Sequence, residues 1–166
     1  MSAQSKNNIF SNHIIILLLL LSIPFLGLLG CGTKKVNTQT NIKSQKIVNS
    51  AYSQMGKKYR LGGSSPNKGF DCSGLVWWAY KTNGISVPRI TIDQAKAGKK
   101  ISKNNAMPGD IVVFKTSNSP RGLHTGIYAG NGSFIHSPKA GEKVRLESIN
   151  IDYWKKKLVS FRRIIN

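Results

Sequence analysis

Acidic residues are scarce in this chain: 6 Asp+Glu stand against 25 Lys+Arg in 166 residues, a formal net charge of +19. With so few scattered carboxylates, and with no HExxH and no CxxC, no metal centre is expected. Cysteine is rarer still. Cys31 and Cys72 are the whole supply, too few for the multi-bridge framework of a small secreted scaffold. Internal repeats are lacking, as is any low-complexity tract beyond the apolar N-terminal run. What is there is 40% hydrophobic and 8% aromatic, enough to build a core, which excludes a wholly unfolded basic tail. The length suits one domain.

The N-terminus reads as an address. Ile14 to Gly30 carries no charge, follows a polar start containing Lys6 and ends against Cys31, the layout of an export signal. A membrane span needs about 20 apolar residues, and Pro24, Gly27 and Gly30 weaken this run, which disfavours an uncleaved anchor. The tetrad Leu28-Leu29-Gly30-Cys31 resembles a bacterial lipobox, in which the cysteine is lipidated on sulfur and becomes the new N-terminus, although Leu29 is bulkier than is usual there. The plainer alternative is cleavage nearby with Cys31 left as a free thiol. The expected organisation is a lipoprotein signal peptide over residues 1–30, a lipidated Cys31 and flexible polar linker over 31–44, and a globular domain over 45–166. Gly32, rather than an aspartate, follows Cys31. The expected location is therefore the cell envelope: the outer membrane if the cell has one, otherwise the outer face of the cell membrane.

Lys6 is the leader's only charge, so the basic balance belongs to the mature chain. An exported, anchored protein meets anionic headgroups and wall polymers, and nucleic acid is not an expected partner. The basic residues are widely spread, much of them as solvated surface.

Ser44 is a candidate cap for a helix in which Ile47, Val48, Ala51, Tyr52 and Met55 recur at helical spacing until Gly56 stops it. After a loop from Tyr59 to Gly69, Asp71 is placed to cap a second helix, with Cys72, Leu75, Val76 and Ala79 on one face and Asn83-Gly84 as its stop. Trp77 and Trp78 are adjacent there and point in different directions, one toward core and one toward the surface or a groove wall. A short helix is expected around 92–97. Strand signals follow. Asp110 to Lys115 is a continuous apolar run; His124 to Ala129 and Ser133 to His136 flank Gly130-Asn131-Gly132 as a hairpin; Lys143 to Leu146 and Leu158 to Ile164 complete a meander. Helices first and strands afterwards predict an α+β domain with helices packed on an antiparallel sheet.

Cys72 in the first turn of a helix, where the helix N-terminus favours a thiolate, makes with His124 and His136 a minimal inventory for thiol catalysis near neutral pH. Each also has a plainer reading: Cys72 as an inert core residue on the Leu75-Val76-Ala79 face, either histidine as a satisfied polar group at a strand end. Hairpin register decides. A two-residue Asn131-Gly132 turn pairs Ile127 with His136 and puts His124 on the opposite face. A three-residue loop pairs Gly126 with His136 and leaves His124 on the same face, within reach of a diagonal contact. The second register is predicted.

Four blocks in order, Tyr59-Arg60-Leu61-Gly62-Gly63, GFDCSGLV from Gly69 to Val76, PGDIVVF from Pro108 to Phe114, and HTGIYAGNGSFIHS from His124 to Ser137, resemble the NlpC-type cell-wall cysteine endopeptidases. The likeness runs from about Ile47 to the C-terminus. It implies a papain-like catalytic core with Cys72 as nucleophile, His124 as general base and then acid, and His136 orienting His124. It also implies an oxyanion site made by the Cys72 N–H and the Tyr59 hydroxyl, and substrate-amine binding by Asp71 and Ser73. The plainer roles are helix capping for Asp71 and Ser73 and a half-buried loop anchor for Tyr59. The implied reaction is hydrolysis of peptidoglycan stem peptides between D-glutamate, linked through its γ-carboxyl, and meso-diaminopimelate or lysine, by a monomer with no cofactor. Two rivals remain open: a catalytically silent wall-binding lipoprotein, and a different acyl transfer, amidase or transacylase, on the same fold. The loop from Tyr59 to Cys72 is slightly longer than the family's, and Thr125 stands where valine is common.

Overall fold

The computed structural model describes residues 38–117 and 122–165. The expected signal peptide, Cys31 and the first part of the expected linker lie outside those residues. Helix α1 runs Thr38–Tyr52, starting well before the expected cap at Ser44, so the later part of the expected linker is helical. No Gly or Pro interrupts that stretch, and Gln45 Nε2 donates to Asn49 Oδ1 at 2.9 Å one turn on. Ile47, Val48 and Ala51 are buried as expected. Tyr52 and Met55 are not: they are 41% and 44% exposed, because the helix ends at Tyr52 and the chain turns away before Gly56.

A small antiparallel hairpin, β1 Ser64–Ser65 and β2 Gly69–Phe70, leads into α2, Cys72–Lys81. Asp71 caps α2, its side chain accepting from the Gly74 N–H at 2.6 Å. Leu75, Val76 and Ala79 are fully buried. Neither Trp77 nor Trp78 enters the core; both pack half-buried against it. The deep aromatic of this helix is Tyr80, whose hydroxyl donates to the Gly109 carbonyl.

Besides a 3-10 turn at Lys103–Asn105, the remaining elements are α3 Thr91–Gln94, β3 Lys99–Ile101, β4 Ile111–Lys115, β5 Leu123–Gly130, β6 Ser133–His136, β7 Arg145–Ser148, α4 Asp152–Lys155 and β8 Leu158–Arg163. Strand β3 carries an exposed lysine pair and no apolar alternation, and α4 has a single turn, which is why neither shows in the sequence pattern. The sheet order is β3-β8-β4-β5-β6-β7, every pair antiparallel. This is the α+β arrangement expected.

Alternation along the strands sends side chains to two different environments. Ile111, Val113, Ile127 and Ile135 meet the helices through Ile47, Leu75, Val76 and Ala79. On the other face Val112, Phe114, Phe134 and Phe161 pack with Trp154 of α4. Strand β4 is buried on both sides.

The β5–β6 hairpin closes by a route other than the one predicted. Asn131 and Gly132 have φ of 50° and 71°, the left-handed pair of a two-residue turn, and Gly130 faces Ser133. The register then shifts at Ala129, so that Tyr128 pairs with Phe134 and Ile127 with Ile135. A short turn plus a bulge thus gives the pairing expected from a three-residue loop. His124 and His136 share a face.

Candidate active site

Cys72 opens α2 and is half-buried. The close approach of the preceding loop to the helix depends on Gly74, where a Cβ would lie 2.0 Å from the Gly63 carbonyl oxygen. Burial pushes the Cys72 thiol up; the backbone N–H of Thr125 pulls it down, the Asp71 charge raises it, and the N–H groups of Ser73 and Cys72 lower it. Burial wins. Burial thus opposes the thiolate expected from the helix N-terminus, and the balance favours a thiol at rest. One of the backbone groups acting on it, Thr125, is the residue after His124. Among the described residues no hydrogen bond joins the thiol to the His124 ring.

The two histidines are in contact. His124 Nε2 and His136 Nδ1 are 2.8 Å apart, and among the described residues His124 Nδ1 makes no hydrogen bond. Both rings are buried in an aromatic wall: His124 stacks on Trp154 with centroids 5.4 Å apart, and His136 meets Trp154 and Phe134 at 5.2 and 4.7 Å. Gly126 makes room beneath them, since a Cβ there would lie 3.2 Å from the His136 Cβ. Burial, and next the neighbouring His136, lower the His124 pKa to about 3 against an upward pull from Glu147. Burial also lowers His136, opposed by Glu147. At neutral pH both rings are uncharged, as a general base requires.

Tyr59 is half-buried, joined to Phe70 by an isolated bridge. Burial raises its phenol pKa, and so do the negative charges of Asp71 and of Cys72 when it ionises. Asp71 and Ser73 are brought together, but their polar atoms are taken. Asp71 accepts from the Gly74 and Gly62 N–H groups at 2.6 and 2.9 Å, from Ser73 Oγ at 3.2 Å, and from both Arg89 terminal nitrogens at 3.0 and 2.9 Å. Ser73 Oγ also accepts from Arg89 Nη1 at 3.1 Å. The capping role is the one these bonds express.

Four residues of the site were not singled out in the sequence. Arg89 clamps Asp71. Gln94, fully buried, donates to the carbonyls of Ser73 and Pro88 at 3.0 and 2.8 Å and accepts from Thr125 Oγ1 at 2.9 Å, so the threonine that replaces the usual valine ties β5 to the start of α2. Glu147 on β7 places Oε2 2.7 Å from His136 Nε2. Trp154 Nε1 donates to that same oxygen at 2.8 Å. Scarcity was the available signal for Glu147 and for the partner of Arg89: in a chain with six acids, a buried one has a specific partner. A depression of about 300 Å³ opens beside His124, Glu147, Arg145, Tyr153 and Trp154. Among the described residues no cluster of three or more His, Cys, Asp or Glu is disposed to hold a metal ion.

Residues 56–163 match the NlpC/P60 family. The chain belongs to the NlpC/P60 family. Murein DD-endopeptidase MepH of Escherichia coli (strain K12) is 39% identical over 134 residues, covering 79% of this chain and 48% of MepH. The bifunctional muramidase/DL-endopeptidase CwlT of Bacillus subtilis (strain 168) is 40% identical over 121 residues, covering 72% of this chain and 36% of CwlT. A crystal structure of a lipoprotein-like NLP/P60 family protein from Staphylococcus aureus superposes with a TM-score of 0.68 at 34% identity, over 79% of this chain and 43% of that one. The chain thus spans half or less of the length of these relatives. The papain-like α+β fold implied by the sequence is the fold of its NlpC/P60 neighbours.

Proposed function

We propose that this chain is a peptidoglycan endopeptidase using Cys72, His124 and His136. The observation that carries the reading is the buried 2.8 Å contact between the two rings, with Cys72 at the start of the helix that packs on the strand bearing His124. As Sγ attacks the amide carbonyl, His124 Nδ1 takes the thiol proton. The C–N bond then breaks, the amine leaves with that proton, and a thioester remains. Water attacks the thioester with His124 again as base, releasing the new carboxylate and returning the thiol. The Cys72 N–H and the Tyr59 hydroxyl hold the oxyanion. A resting thiol beside a neutral imidazole suits proton transfer during attack, not before it.

The bond proposed is that between γ-linked D-glutamate and the diamino acid, supported by the DL-endopeptidase name of CwlT. The DD-endopeptidase name of MepH favours a second reading, cleavage of the D,D crosslink. The test is to incubate the full chain in detergent, beside Cys72→Ala, with crosslinked and uncrosslinked muropeptides and to weigh the products. Cleavage of uncrosslinked peptides after D-glutamate by the unaltered protein alone supports the first bond. Conversion of dimers to monomers alone supports the second, and no cleavage by folded protein points to the wall-binding rival.

The proposal includes export and lipidation at Cys31, with the enzyme working as a monomer from the cell envelope, in the outer membrane or on the outer face of the cell membrane. The basic surface suits anionic wall and headgroups. Cys31→Ser should abolish lipid labelling and membrane retention together; retention of both would remove the lipobox.

A further inference from the structure

His136 is wholly buried, and its two nitrogens face different partners: Nδ1 meets His124 Nε2, and Nε2 lies 2.7 Å from Glu147 Oε2. Glu147 is ionised. Burial works against its charge, but the His136 contact, the Trp154 N–H and Arg145 outweigh it and hold the carboxyl down to about 2. A ring lone pair set against an ionised carboxylate oxygen at that distance would be repelled, so Nε2 of His136 carries the proton. A neutral imidazole has a single N–H, which makes Nδ1 of His136 an acceptor. His124 must therefore donate from Nε2, and its Nδ1 is left as the lone pair free to accept a proton.

We propose that Glu147 is a positioning residue of the reaction: its carboxylate sets the tautomers of His136 and His124 in series and steadies the positive charge that arises on His124 when the Cys72 proton arrives. The proposal rests on the Cys72-His124-His136 reading and extends it by one residue. Glu147 is itself held, with Trp154 Nε1 on one oxygen and Arg145 Nη2 on the other at 3.2 Å. The His136 contact is not in line, since Nε2 has no hydrogen bond of good angle, as is common for catalytic contacts before substrate binds. The charged or titratable groups facing the two rings are Glu147 and Arg145 on β7, Glu142 in the loop before it, and each ring for the other. Trp154 of α4 adds no charge, and Cys72 of α2 is the reacting thiol.

Nitrogen-15 spectra of the full chain at neutral pH, assigned with His136→Gln, should show both rings as the Nε2–H tautomer. Either ring in the Nδ1–H form overturns the proposal, whether or not the protein cleaves peptidoglycan. Glu147→Gln keeps the size and an acceptor for Trp154 while removing the charge. It should lower kcat by about tenfold to a hundredfold with KM held. The acid limb of kcat/KM should move to lower pH, because an imidazolium without a nearby carboxylate loses its proton more readily, and Glu147→Asp should recover part of kcat. Unchanged kcat and an unmoved limb in folded Glu147→Gln overturn the proposal. If that variant does not fold, the spectra of the unaltered protein and Glu147→Asp decide it. The expected tautomers in a protein that cleaves no wall peptide support the proton arrangement and count against the substrate reading alone.

Discussion

The two faces of the central sheet come from the same strands and do different work. Toward the helices, Ile111, Val113, Ile127 and Ile135 make an aliphatic layer interrupted by Thr125, which is paired to Gln94. Away from them, Phe114, Phe134 and Trp154 make an aromatic layer in which two imidazoles are set edge and face. The aliphatic face holds α2, and hence Cys72, in place. The aromatic face strips water from His124 and His136, keeping them neutral and orienting their rings. Support and chemistry are thus separated by the pleat, one residue apart along β5.

That separation can be tested from the chemical side first. His136→Ala should lower kcat by about a hundredfold with little change in KM, measured on muropeptides. A change in KM with kcat intact would move His136 from the relay to the substrate site. Next, the faces should differ in what a cavity does. Phe134→Ala should cost about 3–5 kcal/mol and Leu75→Ala about 2–5 kcal/mol by denaturant unfolding, but only Phe134→Ala should also slow the folded fraction, since its ring packs on His136. Equal activity per folded molecule in the two variants would break the comparison.

Acid should reveal the buried imidazoles as well. His124 has its folded pKa depressed to about 3 while the unfolded chain titrates near 6.5. The unfolded state takes up that proton first, so stability should decline as pH falls from about 6.5 toward 3. Glu147, depressed to about 2, contributes stability that is present above the ordinary carboxylate pKa and is lost as pH falls through about 2. The thermal midpoint should already drop between pH 7 and 5, and His124→Gln should shrink that drop without altering the later one. A midpoint flat from pH 7 to 5 would contradict the burial. The smallest effect expected is at the start of α2. Asp71→Ala should cost about 0.5–2 kcal/mol as a lost cap. If instead it leaves stability alone and abolishes cleavage of peptides with a free N-terminus, the substrate-amine role is supported over the cap.

Much of the site was legible because its signals are local. Asp71 before Cys72 reads as a cap, and Pro108-Gly109 before an apolar run reads as a turn into a buried strand. The two histidines bracket a hairpin turn. The polar partners were not legible in the same way. Asp71 meets Arg89, Asp110 meets Arg163, and Glu142 and Glu147 share Arg145, but no spacing rule links residue 71 to residue 89 or 110 to 163. The thiol's protonation state was also out of reach, because a helix N-terminus is visible in sequence and the burial that opposes it is not.

By itself the sequence determined the order of the three main helices and of strands β4 to β8, the family and the three residues that carry the proposed chemistry, since caps, turns, alternation and motif blocks act over a few neighbours. Only the tertiary structure decided the rest. The bulge at Ala129 reconciles a two-residue turn with the register the histidines need. Burial in the aromatic layer, Trp154 included, favours the neutral form of both rings. And β7, lying beside β6, brings Glu147 within reach of His136, a contact set by strand pairing across the sheet.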